Sequence, residues 1–237
     1  MPFRTWFGGR GVGLKEQVRQ ALDLARQGQA DAAVATVSAR FPEALDELRA
    51  LDQPVDAAWL RLAAYFAFRS GQMADATAAA EQALGLEGDA ETWHLLGRVR
   101  VWLDRHDAAD AFRRARDLDP ERFFLPYRVS RERFAALADA ALAAIPPEFR
   151  AQMDNTMVVV DDLPELDAVR EGEDPDVLGV YEGATAMDRG LPERIVLYQR
   201  NHEHVAATKA DLEQEVTETM RHEIGHHFGM DEDELPY

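Results

Sequence analysis

Leu212-Glu213-Gln214-Glu215-Val216-Thr217-Glu218-Thr219-Met220-Arg221-His222-Glu223-Ile224-Gly225-His226-His227-Phe228 is the stretch on which the fold turns. Leu212, Val216, Met220, Ile224 and Phe228 recur every four residues, which predicts a helix from about Thr208 to Phe228 with one apolar face. With 3.6 residues per turn, that stripe is centred roughly 160° from His222. His222 and His226, four residues apart, share the opposite face, so both imidazoles can reach one ion. Glu223 sits about 100° around from His222, able to touch a water in front of the ion without ligating it. A helix with merely solvated or core-satisfied histidines is the plainer alternative. The opposed stripe and the glycine three residues past His226 argue against it.

Two histidines leave zinc short of three protein ligands. Only 11 residues follow His226, too few for a later helix to deliver the third. Gly229 tolerates positive φ and can end the helix, turning the chain back toward its own ligand face. The spacing then favours Glu232, with Asp231 and Asp233 as alternatives. His227 points about 100° from His226 and reads as packing or support for the ligands. Tyr181 reads as core packing, with oxyanion contact as the functional alternative. His202 and His204 are expected in an exposed polar loop.

Upstream, Ser130 is placed to cap a helix over Arg131–Ala144, which Pro146-Pro147 ends. Met157-Val158-Val159-Val160, Leu178-Gly179-Val180-Tyr181 and Arg194-Ile195-Val196-Leu197-Tyr198 read as strands. The acidic segment Asp161–Asp176 reads as a solvated loop. Helix, strands, helix predicts an α+β fold over residues 126–237. If Ile195–Tyr198 is an edge, an extended peptide can pair along it.

Residues 1–125 have a different grammar. Trp59 and Trp93 lie 34 residues apart, each opening a helical pattern. Second helices are expected over Ala74 to Leu86 and Ala108 to Leu118, the last stopped by Pro120. Leu14 to Phe41, turning at Gly28-Gln29, reads as a degenerate third copy. The pattern resembles the tetratricopeptide repeat, which implies all-α hairpins. They offer a surface for a protein partner or self-association, or serve as a spacer. Phe3, Trp6 and Phe7 lie in a glycine-rich arm ahead of them.

Composition narrows the chemistry. There is no cysteine among 237 residues, so disulfides, thiolate zinc sites and cysteine nucleophiles are excluded, and a cytoplasmic setting is expected. No 18-residue apolar run suggests a membrane span, and the N-terminus lacks an apolar signal core. The formal charge of −18 is concentrated in residues 126–237, which carry 10 basic and 25 acidic groups. That half should repel phosphate backbones, so nucleic acid is not expected as a partner.

The segment Glu218–Leu235, with its HExxHxxGxx and following carboxylates, resembles the end of the minimal zincins, small bacterial zinc metallopeptidases with an HExxHxxGxxD motif. The resemblance continues through Leu178–Gly183, Arg194–Tyr198, Phe134 and Ile145-Pro146-Pro147, covering about residues 126–237. It implies a compact α+β fold with His222, His226 and a downstream carboxylate on zinc, Glu223 as catalytic acid/base, and a peptide or protein substrate. Glu232 stands where aspartate is usual in that family. Peptide deformylases resemble it less, since they need a cysteine ligand. The rRNA-maturation endonucleases carry a third histidine, and metzincins have a later methionine turn. The alternative to an enzyme is a metal-stabilised interaction module with little turnover.

Overall fold

A computed structural model describes residues 12–37, 40–153, 156–183 and 193–230. The first of these build paired helices. Helices α1 (Leu14–Arg26), α2 (Ala30–Ala35) and α3 (Phe41–Ala50) precede the hairpins α4 (Ala57–Arg69) with α5 (Met73–Leu86) and α6 (Ala90–Trp102) with α7 (Ala108–Leu118). The expected single hairpin over Leu14 to Phe41 is therefore short in its second arm, and α3 is an additional helix that opens with Pro42 in its first turn. The two full hairpins repeat their boundary chemistry. Asp56 accepts a hydrogen bond from the Trp59 amide and Asp89 from the Thr92 amide, each a side-chain N-cap. Positive φ falls at Gly71 and Asp104. Both pairs are 33 residues apart, so Trp59 and Trp93 are one position out of register.

Residues 126–230 add helices α8 (Arg131–Ala143), α9 (Pro147–Arg150), α10 (Leu166–Glu171), α11 (Gln199–Val205) and α12 (Lys209–His227), with strands β1 (Thr156–Asp161), β2 (Gly179–Glu182) and β3 (Glu193–Tyr198). The architecture is α+β, as the alternation of patterns predicts. The sheet order is β1-β3-β2, with β1 parallel and β2 antiparallel to β3. Among the described residues β3 is thus the central strand, and the idea of a peptide pairing along it fails because both its edges are taken. Its burial explains the unbroken run Ile195-Val196-Leu197-Tyr198, apolar on both faces.

Two hydrophobic clusters form. One joins α1 to α6 around Leu22, Leu45, Leu62, Phe66, Phe68 and Leu96. The other packs Leu212, Val216, Met220 and Ile224 of α12 against Phe134 and Leu137 of α8 and Ile195 and Leu197 of β3. The four-residue stripe is thus the face that meets the sheet. The segment Asp161–Asp176, expected to be a solvated loop, instead carries α10 and docks on the helical region. Leu166 packs against the first cluster, and Arg170 lies so close to Gly71 that a Cβ there would sit 3.0 Å from its Cγ. No described helix is long and apolar enough to cross a membrane.

Candidate active site

Helix α12 is closed at both ends by its own hydrogen bonds. At the start, the Thr208 hydroxyl accepts from the Asp211 amide (3.2 Å) while Asp211 accepts from the Thr208 amide (2.9 Å). At the end, Gly229 adopts φ +76°, its amide donates to the His226 carbonyl (2.9 Å), and the Met230 amide donates to the Gly225 carbonyl (3.1 Å). These two bonds define a Schellman motif. A glycine supplies the left-handed residue without a Cβ penalty.

On the face opposite the apolar stripe, His222 and His226 converge. Their Nε2 atoms are 3.1 Å apart, with the rings nearly perpendicular. The Nδ1 of His226 lies 3.2 Å from the Met230 carbonyl, an acceptor that fixes the proton on Nδ1 and leaves Nε2 with its lone pair. The turn at Gly229 delivers that carbonyl, so helix end and ring orientation are one construction. Two Zn–N bonds of about 2.0–2.1 Å at a tetrahedral angle set nitrogens about 3.3 Å apart. The observed separation fits a shared zinc ion.

Glu223, only 5 % exposed, lines a cleft with His222. The cleft holds about 690 Å³ and is walled by Val177, Leu178 and Gly179 on one side and by Glu215, Glu218, Thr219 and Arg221 of α12 on the other. Burial and the neighbouring charges of Glu218 and Asp211 push the Glu215 carboxyl above its ordinary value. Asp231, Glu232 and Asp233 lie outside the described residues. Among the described residues no group of three His, Asp or Glu side chains gathers around one point.

His227 and Tyr181 come together with a third group. The His227 Nδ1 is 2.9 Å from Glu193 Oε2 and 3.2 Å from the Tyr181 hydroxyl, and Thr156 donates to the same carboxylate oxygen (3.1 Å). Burial, with Glu193 beside it, pushes the Tyr181 phenol up. The tyrosine ring packs on the second core cluster and stands edge-on to His227.

His202 and His204 are not in an exposed loop. They lie on α11, where His202 is fully buried, with Nδ1 2.9 Å from the Tyr198 carbonyl and Nε2 3.1 Å from the Thr219 hydroxyl. A carbonyl only accepts, so Nδ1 carries the proton and Nε2 accepts from Thr219. Burial pushes this imidazole down to about 4. The bond ties α11 to the cleft-facing side of α12. Beside it, the buried Glu203 carboxylate receives Arg128, Arg200, Gln199 and the Val129 amide. Burial alone would raise its pKa; the donors outweigh burial and lower it. Sequence reading missed this network because Gln199–Val205 has no apolar periodicity.

Residues 153–237 match the family model of zincin-like metallopeptidases. The matched stretch begins just before β1 and leaves α8 and the helical region outside it. No curated protein matches the chain.

Proposed function

We propose that this chain is a zinc-dependent metallopeptidase that hydrolyses a peptide or amide bond in a peptide or protein substrate. The reading is carried by the convergence of the two imidazole Nε2 atoms, 3.1 Å apart, on the helix whose buried Glu223 lines a cleft with His222. The family match over residues 153–237 supports it. His222 and His226 would hold the ion, with Glu232 completing a His₂Glu set and Asp231 and Asp233 as the competing carboxylates. Bound there, zinc lowers the pKa of water and polarises the scissile carbonyl.

In this scheme Glu223 takes the proton from the attacking water and returns it to the leaving nitrogen. Its low exposure keeps bulk water from competing for that proton. The substrate strand pairs with β2 rather than with β3. The Tyr198 amide donates to the Leu178 carbonyl (2.8 Å), and antiparallel alternation then turns the amide and carbonyl of Gly179 and Tyr181 away from β3. Among the described residues no strand pairs with that edge of β2, which would receive an extended peptide beside His222. Glu215 and Glu218 favour cationic side chains in that peptide.

The test is zinc-loaded protein on a mixed peptide library, read by mass spectrometry, beside Glu223→Gln. The parent should cleave, and the variant should retain zinc while losing on the order of 10²–10⁴ in rate. Equal cleavage by both refutes the reading. Zinc-edge anomalous diffraction reads the third ligand directly.

A further inference from the structure

The cleft wall that faces His222 is fixed from the helical half of the chain. Residues 174–179 run into β2 without a free joint. Asp174 and Asp176 are gripped by Arg69 (2.8 and 3.4 Å), and Asp176 is also paired with Arg98. Asn201, buried on α11, donates to the carbonyls of Pro175 (2.9 Å) and Val177 (2.7 Å). The Leu178 carbonyl is taken by Tyr198, and a Cβ on Gly179 would lie 2.8 Å from Thr219 Cγ2 of α12. Val177, Leu178 and Gly179 are the wall itself.

The two arginines are stiff anchors. The Arg69 guanidinium lies 4.9 Å from the Phe41 ring centroid and that of Arg98 4.6 Å from the centroid of Phe68. Their side chains are only 18 % and 13 % exposed. Planar guanidiniums packed on buried rings cannot follow a wandering loop, so the loop is held where they are.

We propose that Arg98, aided by Arg69, is a positioning residue for the cleft: through Asp176 and Asp174, the helical region sets where the β2 edge stands against α12 and so how tightly an extended peptide is held. The ion pairs read otherwise as ordinary mortar between two halves. What distinguishes them is that Asp176 directly precedes the wall, so any slip at the clasp is a slip of the substrate-pairing edge. The consequence for substrate rests on the peptidase reading above; the clasp does not.

The test compares the zinc-loaded full chain with Arg98→Ala, Arg98→Lys and Asp176→Asn. Asp176→Asn covers the case in which loss of a buried guanidinium unfolds the protein. KM for a cleaved library peptide should rise on the order of tenfold in Arg98→Ala and Asp176→Asn, with kcat within about twofold and zinc content unchanged. Arg98→Lys, which keeps the charge, should recover part of the loss. Hydrogen exchange should quicken at the Val180 and Tyr198 amides in the two disrupted variants, leaving α12 at parental rates. Folded variants with parental KM, or with kcat lost in place of KM, overturn the proposal. If the parent cleaves nothing, the peptidase reading fails alone, and exchange decides the clasp. Quickening confined to β2 and its partner upholds it, and parental rates overturn it.

Discussion

Burial lowers the imidazoles of His94, His202 and His204, so acid should weaken this protein, and the share carried by His202 follows from the structure. His202 is fully enclosed, bonded at both ring nitrogens, and held neutral with a pKa of about 4 against the ordinary 6.5. Between those values the unfolded chain binds a proton that the folded chain refuses. Stability is therefore full above pH 6.5 and falls as pH drops toward 4. One group shifted this far removes about 2.5 kcal/mol between pH 7 and pH 4.5. His202→Gln keeps a donor and an acceptor but cannot titrate. Urea unfolding of parent and variant across that range isolates the term, because every other titrating group cancels in the difference. The parent should lose about 2.5 kcal/mol more than the variant on acidification. Parallel stability curves would falsify the assignment of a buried neutral imidazole.

Three further outcomes are expected. His226→Ala should abolish both zinc binding, read by metal analysis, and the zinc-induced rise in melting temperature that ligand linkage gives the parent. Gly229→Ala should cost about 1–2 kcal/mol in thermal unfolding; among the described residues the new Cβ meets nothing within 4 Å, so the penalty is that of φ +76°. Asp89→Ala should cost about 0.5–2 kcal/mol, since its carboxylate caps the Thr92 amide and also receives the Thr92 hydroxyl and Arg61.

Where local chemistry decides, the sequence was readable. Ser130 does accept from the Arg133 amide at the start of α8, and the stripe from Leu212 to Ile224 is the buried face of α12. The pairing of His222 with His226 follows from helical spacing alone, which needs no tertiary information. Tertiary contacts were not readable. Gln199–Val205 looks polar because Asn201, His202 and Glu203 are buried against partners distant in sequence (Pro175 and Val177, Thr219, and Arg128 with Val129), and only packing against α8 and α12 makes that an interior. The order of strands in a three-stranded sheet is not written in any one strand, so β3 looked as eligible for an edge as β2. The 33-residue step between the two hairpins lies in the capping aspartates and the turn residues rather than in the tryptophans. Asp231, Glu232 and Asp233 lie outside the described residues.

The closed ends of α12 have one more consequence. Because the Thr208–Asp211 box and the turn at Gly229 are bonds of the chain itself, the backbone of α12 sets the gap between the two rings. A metal held by both rings, as proposed above, would then be captured with little rearrangement, and its release would leave the scaffold standing.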